Sequence, residues 1–352
     1  MLYLSALKVF TLTTLAFVVT LFWTPLFIAL LKRYRLGKTI RDEASAPLFS
    51  RLHKHKSGTP TMGGVLVWGT TLVLAAIFFV AFKLIPGTFF AELNFLTRAE
   101  TLLPLGALVA TAVVGLLDDY LNVRGIGANG GGLKMRHRII IYTLIAGGVA
   151  VIGALWFYIK LDWDLVRVPF FGNYQIGLWS IPLFVLVILG TAFSVNEADG
   201  LDGLAGGILL SAFLAFGAIA FSRGQINLAA FCGVITGSLL AFLWYNIPPA
   251  KFFMGDTGAM ALGVTLGILA ILTNTVLLLP IICLLLVVES GSVLLQWTWR
   301  YGFHKKLFLS SPLHHHLEAL GWRESQIVMR FWIIAALSSV AGLIVFLMDK
   351  GW

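Results

Sequence analysis

Charge is scarce in this sequence. Asp, Glu, Lys and Arg make up only 12% of its 352 residues, about half the share of an ordinary soluble chain. Hydrophobic residues make up 59% and the mean hydropathy is +0.92, which excludes a soluble globular domain. Cysteine is nearly missing as well. Cys232 and Cys283 both lie inside apolar runs, so no disulfide framework or zinc cluster is built on them and apolar packing is expected. No internal repeat is evident. No small-residue cleavage site follows the first apolar run, 9–31, which is too long for a signal peptide and reads as a membrane helix. One integral domain over 1–352 is expected.

About 20 apolar residues cross a bilayer as a helix. That length predicts an all-α polytopic membrane protein with about ten spans, at 3–31, 62–84, 101–120, 139–159, 179–195, 204–221, 228–247, 258–272, 276–299 and 328–347. Of 25 Lys and Arg residues, 18 fall in one set of alternate loops, and all seven histidines fall there too. Cytoplasmic loops are the Lys/Arg-rich ones, so this set is expected inside and both termini outside. The net charge of +9 then serves topology and contact with anionic lipid headgroups rather than nucleic acid.

Acid is the scarcer sign, and its placement carries the chemistry. Asp118 and Asp119 are adjacent at the end of the third span, where like charges repel, solvation is poor and the helix dipole is unfavourable. A bound divalent cation or a cationic substrate site would remove that penalty. The loop Asn196-Glu197-Ala198-Asp199-Gly200-Leu201-Asp202-Gly203 holds three acids and no base. Its glycines permit close backbone approach, and its carboxylates suit a nucleobase, a ribose or hydrated Mg²⁺. Asp256, between Gly255 and Thr257-Gly258, is either a helix N-cap or a metal ligand brought to the face of Asp118 and Asp119.

Three consecutive histidines, His314, His315 and His316, precede Leu317-Glu318. Adjacent residues rarely converge on one tetrahedral metal, so donation to phosphate oxygens or the holding of a loop is expected. Lys56 precedes Gly58-Thr59-Pro60-Thr61-Met62-Gly63-Gly64, and Lys134 follows the Asp118 pair. Carboxylates, Mg²⁺, basic residues and glycine turns together describe phosphoryl transfer. A site at the membrane surface points to a lipid as one substrate.

These motifs resemble those of the phospho-N-acetylmuramoyl-pentapeptide transferases, within the polyprenyl-phosphate N-acetylhexosamine-1-phosphate transferase superfamily. The matching stretches are Gly58 to Gly64, Asp118-Asp119-Tyr120, Asp199-Gly200-Leu201-Asp202-Gly203-Leu204-Ala205, Phe253-Met254-Gly255-Asp256 and Pro312-Leu313-His314-His315-His316-Leu317-Glu318. They occur in the family's order over almost the whole chain. The resemblance implies ten helices, a homodimer in the bacterial inner membrane, and an active site on the cytoplasmic face. It implies transfer of phospho-MurNAc-pentapeptide from UDP-MurNAc-pentapeptide to undecaprenyl phosphate, with Mg²⁺, giving lipid I and UMP for peptidoglycan synthesis. It also implies roles: Asp256, Asp118 and Asp119 at the metal, Asp118 as the base for the lipid phosphate, and His314 among the catalytic groups. Lys56, Thr59, Lys134, Asn196, Asp199, Asp202, Phe253, Gln296, His315 and His316 are implied around the substrate. Phe193 and Glu197 depart from the family's usual residues.

Two other readings compete. A sister enzyme would transfer a simple N-acetylhexosamine phosphate. A cation-coupled transporter would spread acids through the membrane depth; Glu289, deep in the ninth span, fits that idea best, unless it holds a helix break or a neighbour.

Overall fold

The computed structural model describes residues 2–37, 53, 56–97, 100–126 and 164–349. The span expected at 139–159 and the candidate Lys134 lie outside the described residues. The chain is predominantly helical: α1 (Leu2–Arg33), α2 (Val65–Leu84), α3 (Leu102–Val123), α4 (Ser180–Ala198), α5 (Leu204–Ser222), α6 (Ile226–Asn246), α7 (Asp256–Leu272), α8 (Leu284–Phe303), α9 (Leu313–Ala319) and α10 (Glu324–Met348). Seven described helices are long and apolar enough to cross a membrane, or up to eight if a bent pair counts as one span. The protein is a multi-pass membrane protein.

Burial explains the departures from the expected spans. Helix α7 has 17 residues, of which 15 are buried. At 1.5 Å per residue it is about 25 Å long, short of a hydrocarbon core of about 30 Å. It needs no lipid face, because α3, α4, α5 and α2 surround it. Helix α6 is likewise wrapped, with α1 and α5 along it. The peripheral helices carry apolar side chains on their outer faces, such as Phe10 and Phe22 of α1 and Leu337 of α10, as a lipid-facing surface requires.

The ninth span, expected at 276–299, is not one helix, and its break lies where periodicity gives no sign of it. Val276–Ile282 and Leu284–Phe303 meet at an angle of 85°. Cys283 leaves helical geometry at φ −105°, ψ 35°, and Ser339 and Ser338 of α10 donate to the Ile282 carbonyl at 3.2 and 3.4 Å. Neighbouring hydroxyls are how a broken membrane helix satisfies the carbonyl it frees. Beyond the break, α8 exposes Leu294, Leu295, Trp297 and Tyr301.

The all-α expectation also misses a hairpin. Strands β1 (Leu165–Val168) and β2 (Gly172–Gln175) pair antiparallel, with Val166 opposite Tyr174. Arg167 of β1 donates Nε and Nη2 to the two oxygens of Asp349, at 2.6 and 2.7 Å. This bidentate pair ties the hairpin to the end of α10. Cys232 and Cys283 are buried and free, matching the expected apolar packing.

Candidate active site

The buried face of α3 runs Pro104, Leu105, Leu108, Thr111, Ala112, Gly115, Asp118 and Asp119. This is helical spacing, so the aspartates continue the stripe that packs on α7. Both are almost fully buried, at 4% and 5% exposure. Asp119 accepts from the backbone N–H of Asp256 at 3.2 Å and of Thr257 at 3.1 Å, one on each carboxylate oxygen. It therefore satisfies two of the amides a helix start leaves without an intrahelical partner and places negative charge at the positive end of the α7 dipole. The N-cap role weighed for Asp256 falls to Asp119 instead: Gly255 occupies the cap position, without a side chain, at φ 75°. Thr257 Oγ1 further donates to Ala112 O at 2.8 Å.

Close approach makes this possible. A Cβ on Gly115 would lie 2.5 Å from the Asp256 carbonyl and 2.6 Å from Thr257 Cα. Only glycine lets the two backbones meet there. Asn196, in the last turn of α4, donates Nδ2 to Asp256 Oδ1 at 2.8 Å. Asp256, Asp119 and Asn196 thus converge at the start of α7, with Asp118 adjoining on α3.

A second cluster surrounds Lys56. Its Nζ lies 2.7 Å from Asp202 Oδ1 and 2.5 Å from Glu324 Oε1. Glu324 Oε1 also accepts from Asp202 N at 2.8 Å, and Asp202 Oδ2 from Ala250 N at 3.0 Å. The lysine is only 11% exposed, so these carboxylates compensate its lost hydration. The Thr-Pro-Thr-Met-Gly-Gly segment is stitched to the loop before α7: Phe253 N donates to Pro60 O, Gly63 N to Phe253 O and Gly64 N to Met254 O, each at 2.8 Å. Thr59 and Phe253 are half-buried beside this seam. Asp199 is half-buried at the end of α4. Asn246 accepts from Gly203 N and donates to Phe252 O.

The histidine motif forms α9. His314 and Glu289, both fully buried, meet at 2.9 Å through Nδ1 and Oε2. Glu289 thus holds a neighbour on the α8 segment that follows the break. A Cβ on Gly200 would collide with the far side of the His314 ring, so α9 packs on the Asp199 to Asp202 loop. His315 Nδ1 lies 2.7 Å from Glu318 Oε2, and His53 Nε2 lies 3.2 Å from the same oxygen. Burial, the larger influence, lowers the His315 pKa to about 4, although Glu318 opposes it. Burial raises the Glu318 pKa, but hydrogen bonds from His315 and His53 hold it at about 2. Gln296 accepts from Leu307 N and Phe308 N and donates to Phe308 O, and His316 Nδ1 accepts from Leu309 N. Both hold the strand of chain entering α9.

The structure brings Asp118, Asp119, Asn196, Asp199, Asp202, Asp256, Lys56, Thr59, Phe253 and His314 to one end of the bundle. Sequence reasoning misses Glu324. It starts α10 amid Arg323, Ser325 and Gln326 and reads as a solvated helix start; an acid in the first turn was its only signal. In the sequence His53 shows only the side of the membrane it occupies, not the carboxylate it meets.

Fold and site define a multi-pass membrane protein with buried carboxylates gathered at one end of its bundle, and residues 101–274 match the model of glycosyl transferase family 4. Residues 56–66, which carry Lys56 and the stitched segment, match signature 1 of the phospho-N-acetylmuramoyl-pentapeptide-transferases. Proteins of that name from Chloroflexus aurantiacus, Desulforamulus reducens and Listeria monocytogenes are 39%, 38% and 35% identical. The alignments cover 93%, 94% and 92% of this chain, and 86%, 93% and 94% of the relatives. The chain belongs to the phospho-N-acetylmuramoyl-pentapeptide-transferase family.

Proposed function

We propose that this chain transfers phospho-MurNAc-pentapeptide from UDP-MurNAc-pentapeptide to undecaprenyl phosphate, forming lipid I and UMP. The reaction takes place at the cytoplasmic face of the bacterial inner membrane. The observation that carries the reading is the convergence of Asp119, Asp256 and Asn196 at the buried start of α7, with Asp118 beside them, in a chain of this family. Ten spans, both termini outside and a homodimer complete it. The first and last described residues, Leu2 and Asp349, lie at the end of the bundle opposite the site, which supports termini on a common side.

The donor set fits Mg²⁺. Asp118 and Asp256 offer carboxylate oxygens, the hard ligands that ion prefers, and an adjacent pair of buried acids calls for a cation. Bound there, Mg²⁺ would neutralise charge on the diphosphate and polarise its phosphorus–oxygen bonds. Asp119 already spends both oxygens on α7 amides, so its part is to fix Asp256. Asp118 takes a proton from the lipid phosphate and orients it. That phosphate's oxygen attacks the sugar-linked phosphorus, the bond to the uridine-linked phosphate breaks, and UMP leaves. A single step is favoured, because the lipid phosphate is already anionic and needs positioning more than activation. The start of α7 adds a favourable dipole for anions. Lys56, Asn196, Asp199, Asp202, Phe253 and Thr59 surround the nucleotide and its phosphates, with His314, His315 and His316 toward the phosphates. Gln296 acts by holding the loop before α9.

The transporter reading finds no support at Glu289, whose carboxylate is engaged with His314. The sister-branch reading is separated by substrate choice. Purified protein, undecaprenyl phosphate and Mg²⁺ are expected to release UMP with UDP-MurNAc-pentapeptide and not with UDP-GlcNAc. The reverse preference would place the chain in a sister branch.

A further inference from the structure

His53 is brought from a distant part of the chain to His315 and Glu318 of α9, and one ligand atom from each of the three lies within 4.8 Å of the others. His53 and His315 converge on the same oxygen, Glu318 Oε2, at 3.2 and 2.7 Å. Tetrahedral zinc, with bonds of about 2.0–2.1 Å, holds its ligand atoms about 3.3 Å apart, so small side-chain adjustments would seat an ion among these three. His315 and Glu318 are one helical turn apart on α9 and present their ligand atoms on one face. His53 is 3% exposed, which keeps bulk water from competing.

We propose that His53, His315 and Glu318 form a transition-metal site of the Zn²⁺ class, separate from the carboxylates assigned to Mg²⁺. Two imidazoles and one carboxylate are a zinc donor set with a fourth position for water or another oxygen. Imidazole nitrogen selects against Mg²⁺, which takes oxygen. Metal binding replaces the two imidazole hydrogen bonds to Glu318: each ring turns its lone pair to the ion and carries its proton on the other nitrogen. An occupied site ties His53, three residues before Lys56 in the sequence, to α9. The inference does not depend on which sugar phosphate is transferred.

The test is Zn²⁺ titration of metal-stripped, full-length protein purified without a histidine tag, with Co²⁺ as a spectroscopic substitute. One equivalent of Zn²⁺ is expected to bind and to remain in excess Mg²⁺, and Co²⁺ should give the intense visible absorption of four-coordination. His53→Asn should weaken Zn²⁺ at least tenfold, and His53→Cys, which restores a ligand, should recover it and add a thiolate–Co²⁺ band. Asp256→Asn and His304→Ala should leave Zn²⁺ binding unchanged. Absence of stoichiometric Zn²⁺, displacement by Mg²⁺, or full binding in His53→Asn would overturn the site.

Discussion

At the scale of single residues, buried charges here are held by partners supplied from distant segments. Lys56 depends on Asp202 and Glu324, and Glu324 serves two donors with one oxygen. Glu324→Gln is expected to destabilise the protein by roughly 1–3 kcal/mol and to raise KM for the UDP substrate more than it lowers kcat. Steady-state kinetics with thermal unfolding in detergent checks this; an unchanged KM would detach Glu324 from the nucleotide. His315 and Glu318 set an acid limit. Unfolded His315 takes a proton near 6.5 and folded His315 only near 4, so the unfolded state binds the extra proton between them. Stability is full above that window and falls as pH drops through it. Glu318 adds a further loss from about 4.5 toward 2. The unfolding midpoint of metal-stripped protein should therefore fall steadily below pH 6.5, with the upper part of the slope flattened in His315→Asn.

At the scale of elements, α7 is the piece on which the site depends. Its start is fixed by Asp119 from α3 and by the missing side chain of Gly115. Gly115→Ala should push the two backbones apart. The expected cost is about 1–3 kcal/mol in stability, with Mg²⁺-dependent turnover falling well beyond what that loss explains. Wild-type turnover in this variant would contradict the close packing. The aspartates were legible in the sequence because a carboxylate in an apolar run is expensive enough to need a reason. The break at Cys283 was not, since apolar residues continue through it and the serines that answer it lie on α10. The hairpin escaped for a similar reason: its anchor is Asp349, more than 170 residues away.

For the whole molecule, the helices run between a polar end, which holds the site, and an opposite end that holds the hairpin. The loop positions of Lys and Arg made the polar end legible and point to the cytoplasm. Lys251 is exposed near the site, Phe171 is 77% exposed on the hairpin, and both native cysteines are buried. A membrane-impermeant maleimide should label Phe171→Cys in intact cells, and Lys251→Cys only after permeabilisation. The opposite pattern would invert the topology.

Metal-supported transfer is assigned to Asp256, held at the start of α7. Its most direct test is Mg²⁺-dependent UMP release by Asp256→Asn, with UDP-MurNAc-pentapeptide and undecaprenyl phosphate, on protein whose unfolding midpoint is near wild type. Release should be lost and not restored by raising Mg²⁺. Near-normal release at ordinary Mg²⁺ would contradict the assignment.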